Sequence, residues 1–190
     1  MVRLPAALER KLQEHFPRVR ERERFVADIV EEALNSHSPD EENMPVAVGG
    51  TLHLFTDGGS RGNPGESAVG VILEDPSAGK VLKEHSERIG LGTNNTAEYR
   101  ALISGLQIAA QYQPQRLVCH LDSELVVRQV TGEYKVKMPT LQTLVEEVQE
   151  LSSEFKNISF VHIPRRDNHR ADALVNRALD DASPAPYGMP

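Results

Sequence analysis

Apolar and polar positions alternate with a period of two along the segment that starts at residue 51. Leu52, Leu54 and Thr56 alternate with His53 and Phe55 in "TLHLFTD", which is the pattern of a strand with one buried face. Two further β-rich runs follow, "SAVGVILED" and "KVLKEHSERIG", and the turn-forming stretch "PSAG" separates them. We therefore predict a meander of three antiparallel strands.

The period then changes to three and four residues in "NNTAEYRALISGLQIAAQY". Asn95 and Thr96 resemble a helix cap, and the residues that would form one buried helical stripe are Ala97, Ala101, Leu102, Gly105, Leu106, Ala109 and Ala110. This spacing predicts a helix.

The rest of the chain alternates short strand-like and helical patterns. We predict a strand at "RLVCHLD", a short helix at "SELVVRQV", a longer helix at "TLQTLVEEVQELSSEF", a strand at "ISFVHIP" and a closing helix at "NHRADALVNRALDD". The apolar face of the longer helix consists of Leu141, Leu144, Val145, Val148 and Leu151. The predicted element order is β, β, β, α, β, α, α, β, α, which is an α/β fold.

Two stretches divide the chain into parts. Residues 36–50, "SHSPDEENMPVAVGG", are rich in Ser, Pro, Gly and acidic residues and show no sustained period, so we interpret them as a linker. Residues 183–190, "SPAPYGMP", have the composition of a flexible tail. The predicted domains are therefore a small unit at 1–35 and a larger one at 51–182.

The N-terminal unit carries two helical stripes on either side of Pro17. The first stripe is Leu8, Leu12 and Phe16, and the second is Phe25, Val26, Ile29, Val30, Ala33 and Leu34. Fewer than 40 residues do not bury such stripes alone. The segment resembles a ribbon-helix-helix module, and this resemblance implies that "VRLP" pairs with a second chain to form a homodimer through residues 1–35. The alternative is a helical hairpin that packs on the larger domain.

Composition excludes some classes of protein and leaves others open. The hydrophobic fraction is 39%, and no apolar run approaches the roughly 20 residues that span a bilayer, so we expect no membrane partner and a cytoplasmic location. Cys119 is the only cysteine and is expected in the core. The net charge of −7 argues against a simple phosphate-binding surface, unless some of the carboxylates hold divalent cations.

Four carboxylates occupy positions that could bring them together. Asp57 and Asp122 end predicted strands, and Glu98 and Asp172 lie in the first turns of predicted helices. If the two strands are neighbours, all four acids meet in one cleft, where Mg²⁺ or Mn²⁺ would relieve their mutual repulsion. Taken singly, each has an alternative role as a turn, cap or exposed helix residue.

The motifs around these acids carry a family resemblance. "TDGGSRGNPG", "TNNTAEYRAL", "LDSELVVRQV" and "RRDNHRADALVNRAL" occur in that order, and residues 51–182 closely resemble ribonuclease H of type 1 in its minimal bacterial and archaeal branch. The resemblance implies a five-stranded mixed sheet of order 3-2-1-4-5 flanked by helices. It also implies that Asp57, Glu98, Asp122 and Asp172 are catalytic and hold two Mg²⁺ or Mn²⁺ ions roughly 4 Å apart.

The activity that this resemblance implies is hydrolysis of the RNA strand of RNA/DNA hybrids, leaving a 5'-phosphate and a 3'-hydroxyl. The residues implied to contact nucleic acid are Gly58, Arg61, Asn63, Asn94, Asn95 and Ser123. The asparagines would read 2'-hydroxyls in the minor groove, with capping and turn formation as alternative roles. Glycines such as Gly58 would let the chain turn sharply and let a nucleic-acid backbone approach.

Two departures from the family pattern concern the loop before the last helix and a basic protrusion. "HIPRRDNHRAD" is too short for the mobile loop that carries a histidine in many relatives, so His169 is an accessory candidate with a surface role as its alternative. "TGEYKVKMPTL" contributes only Lys135 and Lys137 where the protrusion would be. Additional cleavage of double-stranded RNA and a non-catalytic nucleic-acid binding module remain open as alternative functions.

Overall fold

The computed structural model describes residues 49–181. The strands are β1 (Thr51–Gly62), β2 (Gly65–Asp75), β3 (Lys80–Gly92), β4 (Arg116–Leu121) and β5 (Ile158–His162), and the helices are α1 (Asn94–Ala110), α2 (Glu124–Val130), α3 (Pro139–Ser152) and α4 (His169–Asp180). A short 3-10 helix, Arg165–Asp167, precedes α4. The predicted element order is confirmed. The predicted N-terminal module, the tail and nearly all of the linker lie outside the described residues.

The five strands form one mixed sheet in the order β3-β2-β1-β4-β5. The β1–β2 and β2–β3 pairs are antiparallel, whereas β1–β4 and β4–β5 are parallel. This is the sheet order that the family resemblance implies. β1 is thus the central strand, and its parallel neighbour β4 is reached only after the α1 crossover, as parallel pairing requires.

One face of the sheet is covered by α1, α3 packs on α1, and the main core lies here. Leu52 and Leu54 are fully buried in this core, whereas His53 and Phe55 are half-buried on the opposite face, so the predicted alternation is confirmed. Cys119 is also buried in the core as predicted, and its burial raises the pKa of the thiol.

The opposite face of the sheet is covered in part by α4, which packs on β1 and β2. A Cβ atom on Gly70 of β2 would lie 2.3 Å from the carbonyl oxygen of Ala171, so this crossing depends on a glycine. Among the described residues, no helix is both long and apolar enough to cross a membrane.

The prediction that β1 ends at Asp57 is wrong, and so is the prediction that Gly58 forms a turn. β1 continues to Gly62 because its pairing with β2 extends as far as Gly62↔Gly65. The turn lies at this hairpin, where Gly62 has a φ of +107° that favours glycine. Gly58 instead allows close packing, since a Cβ atom there would lie 2.1 Å from the backbone carbonyl carbon of Ala97.

The start of α1 also differs from the sequence prediction. The N-cap is Thr93 rather than Asn95 or Thr96, and Thr93 and Thr96 form a reciprocal capping box. Because the helix begins at Asn94, Glu98 lies in its second turn and not in the first. The third helical residue, Thr96, accepts the hydrogen bond from the N-cap backbone that Glu or Gln usually accepts, so the sequence lacks the usual capping-box pattern.

Candidate active site

The parallel pairing of β1 with β4 brings two carboxylates side by side. This pairing runs as far as Phe55↔His120, and Asp57 and Asp122 each follow two residues later. Asp122 lies just beyond the end of β4, whereas Asp57 is held within β1, which continues past it. The two side chains therefore meet where β4 ends, as the sequence predicts for neighbouring strands.

Glu98 reaches the same place from α1. The α1 backbone at Ala97 packs directly against Gly58, which places the next residue, Glu98, beside Asp57. Asp57, Glu98 and Asp122 can each offer one carboxylate oxygen such that these atoms all lie within 4.8 Å of one another. We call these three residues the carboxylate triad.

The triad is electrostatically unfavourable without a cation. Burial, together with the charges of Asp122 and Asp172, raises the pKa of Asp57 to about 7. Burial and the charges of Asp57 and Asp122 raise the pKa of Glu98 to about 9. The Oε2 atom of Glu98 is shielded from solvent and has no hydrogen-bond partner among residues 49–181. An all-oxygen, anionic and under-satisfied set of this kind fits a hard divalent cation.

Asp172 lies in the same pocket as the triad but outside it. Its Oδ1 accepts a hydrogen bond from the Arg165 guanidinium at 2.5 Å, and its Oδ2 accepts one from Asn176 Nδ2 at 2.9 Å. The Arg165 charge also acts against the raised pKa of Asp57 and of Glu98. The fourth predicted carboxylate is therefore present at the site with a cationic partner of its own.

The four carboxylates line an open pocket of about 310 Å³. Its other lining residues are Gly58, Gly59, Ser60, Arg61, Asn94, Arg165, Val175, Asn176 and Leu179. Of the residues predicted to contact nucleic acid, Gly58, Arg61 and Asn94 line it, whereas Asn63, Asn95 and Ser123 do not. Arg61 forms an ion pair with Asp180 near the end of α4.

The alternative roles of the polar candidates are visible in the structure. Ser123 caps α2, with its hydroxyl 3.4 Å from the backbone nitrogen of Val126. Asn63 lies in the β1–β2 turn, and its Oδ1 accepts a hydrogen bond from the Asn94 backbone at 3.3 Å. Asn95 is exposed in the first turn of α1. These local roles do not test contact with nucleic acid, which stays a prediction for Asn63, Asn94, Asn95 and Ser123.

His169 begins α4, outside the pocket. It is exposed, and its Nδ1 lies 2.9 Å from the carbonyl oxygen of Arg166. Its side chain does not line the carboxylate pocket. This position fits the alternative interpretation of His169 as a surface histidine.

Two residues of the site were missed at the sequence level, Arg165 and Asn168. Asn168 is only 1% exposed, and its Nδ2 donates to the carbonyl oxygen of Thr56 at 2.9 Å and to Asp122 Oδ1 at 3.1 Å. It therefore joins β1, the end of β4 and the start of α4. An Asn just before a predicted helix has the pattern of an ordinary cap, so only the tertiary contacts reveal its role.

The family described as "Reverse transcriptase-like" matches residues 55–178. A ribonuclease HI of Halobacterium salinarum is 44% identical over 134 residues, which cover 70% of this chain and 67% of that protein. The chain belongs to the type 1 ribonuclease H family. The crystal structure of ribonuclease H1 from Halobacterium salinarum superposes with a TM-score of 0.68 at 44% identity, and the match covers 70% of this chain and 100% of the other.

Two further members of the ribonuclease H family are similar to this chain. The bifunctional protein Rv2228c of Mycobacterium tuberculosis is 43% identical over 68% of this chain, but the match spans only 36% of that longer protein. The LC11 ribonuclease H1 was crystallised in complex with an RNA/DNA hybrid. Its structure gives a TM-score of 0.65 at 44% identity and covers 69% of this chain and 98% of the other.

Proposed function

We propose that this protein is a metal-dependent endonuclease that hydrolyses the RNA strand of RNA/DNA hybrids and leaves a 5'-phosphate and a 3'-hydroxyl. The observation that carries the proposal is the carboxylate triad, three acidic side chains whose oxygens lie within 4.8 Å of one another in an open pocket. The relative crystallised with an RNA/DNA hybrid supports the choice of substrate.

The residues of the pocket fit a pair of divalent cations. Asp57 is 7% exposed, and one of its oxygens lies within 4.8 Å of an oxygen of Glu98 and of Asp122, so it would take part in holding both ions. Glu98 and Asp122 would complete the two sites, and Asp172 would contribute from the α4 side. Divalent cations held there would supply the Lewis-acid chemistry of phosphodiester hydrolysis. Mg²⁺ and Mn²⁺ both prefer such oxygen ligands.

The protein's own contribution is to hold the carboxylates still and to place the RNA strand over them. Asp57 is held by β1, which is paired with β2 on both sides of this position, and Asp122 is oriented by Asn168. Rigid placement of ligands is what such a site requires. Arg165 is largely exposed and lines the pocket beside the carboxylates, so its guanidinium would bind an approaching phosphate.

Cleavage of labelled substrates tests this proposal. The parent chain should cut an RNA/DNA hybrid in Mg²⁺ or Mn²⁺ and leave a DNA duplex intact, and the products should carry a 5'-phosphate that a ligase can join. Asp57→Asn should reduce the cleavage rate by more than about 100-fold. Loss of a residue that only hydrogen-bonds to a metal ligand typically costs about 10- to 100-fold, and Asp57 is proposed to be a ligand itself. Asp75→Asn, at the end of β2 where the carboxylate accepts a hydrogen bond from Ser77, is the matched control and should retain activity.

Two outcomes of these assays would contradict the proposed nuclease function or its site. Hybrid binding without cleavage in either metal would support the alternative of a non-catalytic binding module. Asp57→Asn with activity within tenfold of the parent would contradict the assignment of the site. A matched RNA duplex in the same assay tests the additional prediction that double-stranded RNA is cut, and comparison of Mg²⁺ with Mn²⁺ identifies the preferred ion.

We also propose that the protein forms a homodimer and is located in the cytoplasm. Dimerisation is predicted through residues 1–35, which lie outside the described residues. Light scattering should give a dimer for the full chain and a monomer, still able to cut hybrid, for a chain that starts at Val46. A full-length monomer at tens of micromolar, or a dimeric truncated chain, would contradict this prediction.

A further inference from the structure

Two histidines lie side by side on the sheet face opposite the main core. His53 is on β1 and His120 is on β4, and both are half-buried. In the parallel pairing of these strands His53 is opposite Val118 and His120 is opposite Phe55, so the two histidines are diagonal neighbours on one face. Neither side chain lines the carboxylate pocket.

The ring nitrogens of the two histidines have the spacing of a metal chelate. His120 Nε2 lies 3.3 Å from His53 Nδ1. Two nitrogens that each bind one Zn²⁺ ion at about 2.0 to 2.1 Å lie about 3.3 to 3.4 Å apart when the coordination is tetrahedral. The same distance also fits an N–H···N hydrogen bond, which is the alternative that an experiment must separate from metal binding.

The position of the His120 ring is fixed by its neighbours. It stacks on the ring of Phe55, with centroids 4.5 Å apart and an angle of 14° between the planes. The His53 ring is 4.9 Å away and is tilted by 49°. Both imidazoles also stand on paired strands of the sheet. Side chains held in this way lose little freedom when they bind a ligand.

A carboxylate on the next strand is a candidate third ligand. Glu74 on β2 is opposite His53 in the β1–β2 pairing. Its carboxylate accepts a hydrogen bond from Arg170, which also contacts Glu84. Arg170 would therefore keep one carboxylate partner if Glu74 rotated toward an ion. Among residues 49–181, three ligand atoms within 4.8 Å of one another occur at the carboxylate triad, so the histidine pair starts as a site with two protein ligands.

The chemistry of the ligands separates this pair from the triad. Imidazole nitrogens suit Zn²⁺, Cu²⁺ and Ni²⁺, whereas carboxylate oxygens suit Mg²⁺ and Mn²⁺. We propose that His53 and His120 form a second metal site, which binds a transition-metal dication such as Zn²⁺ through His53 Nδ1 and His120 Nε2. Water or Glu74 would complete the coordination of the ion.

The surroundings of His120 limit the strength of this site. Its Nδ1 is shielded from solvent and has no hydrogen-bond partner among residues 49–181. A histidine that binds metal through one nitrogen usually donates the proton on its other nitrogen to an acceptor, and loss of such a partner costs about 10- to 100-fold in affinity. The site should therefore be weaker, by about this factor, than a comparable site with the acceptor in place.

NMR of the histidine ring nitrogens identifies the ligand atoms directly. The ¹⁵N-labelled full chain is freed of metal with a chelator, Mg²⁺ is added in excess for the carboxylates, and Zn²⁺ is titrated. The signals of His53 Nδ1 and His120 Nε2 should move together and saturate at one equivalent, while those of His85 on β3 stay unchanged. Excess Zn²⁺ that moves neither of the two signals would overturn the proposal.

Glutamine variants test the contribution of each imidazole. In calorimetric titration with Zn²⁺, His53→Gln and His120→Gln should each weaken binding by more than about tenfold, since even loss of a partner of a ligand costs about 10- to 100-fold. His85→Gln is the matched control and should keep the parent affinity. Because His120 stacks on Phe55, thermal melts check that each variant is folded, and His53→Gln decides the question if His120→Gln is unstable. Unchanged affinity in folded His53→Gln would overturn the proposal.

Electron paramagnetic resonance with Cu²⁺ separates the histidine site from the carboxylate pocket. Imidazole ligands give nitrogen hyperfine structure, which carboxylate oxygens do not. In excess Mg²⁺ this nitrogen signal should persist in Asp57→Asn and be lost in His53→Gln. The reverse result would place the ion at the carboxylates and contradict the second site. None of these measurements depends on cleavage, so their outcome is independent of the proposed nuclease function.

Discussion

The two walls of the pocket hold their carboxylates in different ways. On the wall formed by β1 and α1, Asp57 and Glu98 are fixed by backbone packed against backbone at Gly58. On the wall formed by α4, Asp172 is fixed by the side chains of Arg165 and Asn176. The first wall is tight and carries uncompensated charge, whereas the second is more open and carries its own cation.

This difference indicates where a metal ion contributes most. The pKa of about 9 for Glu98 and of about 7 for Asp57 means that, without a cation, Glu98 is mainly protonated and Asp57 is partly protonated at neutral pH. Asp172 already shares the charge of Arg165. A divalent cation would therefore relieve repulsion mainly at the β1–α1 wall.

The largest expected effect comes from adding one carbon atom to the tight wall. In Gly58→Ala the new Cβ would lie 2.1 Å from the Ala97 carbonyl carbon, which is backbone and cannot rotate away. Overpacking usually costs 1 to 3 kcal/mol and sometimes more, so we expect a loss of about 3 kcal/mol or more in the free energy of unfolding. Chemical denaturation measures it. Gly50→Ala has no atom within 4 Å of its new Cβ and is the control; equal stability of both variants would contradict the tight packing.

The next effect concerns the dependence of stability on pH in the absence of metal. Glu98 has an ordinary pKa of 4.5 and a folded pKa of about 9, so between these values the folded chain binds more protons than the unfolded chain. Stability therefore falls as pH rises. From pH 7 to pH 9 we expect a loss of about 1 to 3 kcal/mol at a limiting slope of about 1.4 kcal/mol per pH unit.

Thermal melts of three proteins test this pH dependence. Glu98→Gln should flatten the fall between pH 7 and pH 9, saturating Mg²⁺ should reduce it, and Glu146→Gln on the exposed face of α3 should leave it unchanged. His120, whose pKa is lowered by burial and by His53, acts in the opposite sense but only at lower pH. An undiminished slope in Glu98→Gln would show that the tight wall does not carry uncompensated charge.

The acidic residues of both walls could be predicted from the sequence, whereas the contacts that hold them in place could not. Strand alternation around Leu52 and Leu54, and acids at the predicted strand ends, are local signals that the fold preserves. The true length of β1 depends on its pairing with β2, which is not a local property. Likewise, the role of Asn168 depends on Thr56, 112 positions away in sequence, so no spacing pattern indicates it.

Asn168→Ala compares the amide contacts of the two walls. Its loss leaves both Asp122 and the Thr56 carbonyl without a donor, and loss of a partner to a metal ligand typically costs about 10- to 100-fold. Asn176→Ala, which removes the amide bonded to Asp172, is the matched variant and should lose less. The readouts are kcat/KM and the Mg²⁺ concentration for half-maximal activity. A larger loss of activity in Asn176→Ala than in Asn168→Ala would show that the amide contact of Asp172 matters more than that of Asp122.

Asp172→Asn measures how far the α4 wall can adjust. Because Arg165 already balances this charge, we expect activity in Mg²⁺ to fall by about tenfold. This loss should be smaller than that of Asp57→Asn. Mn²⁺ should recover part of the activity, since Mg²⁺ demands near-ideal octahedral geometry. Titration of both metals against cleavage rate provides the measurement, and a variant equally inactive in both would show that the α4 wall is as rigid as the first.

The smallest effect is expected for His169→Ala, because this residue begins α4 outside the carboxylate pocket. A general acid or base contributes about 10²- to 10⁴-fold, but His169 is exposed, contacts the Arg166 carbonyl and does not line the pocket. We therefore expect less than about a tenfold loss, measured under single-turnover conditions so that product release does not mask the chemical step. His85→Ala, in which a half-buried imidazole on β3 is removed away from the site, controls for the general effect of losing a histidine. A hundredfold loss confined to His169→Ala would mean that the short loop before α4 delivers an imidazole to the reaction, and the α4 wall would then contribute proton transfer as well as an adjustable carboxylate.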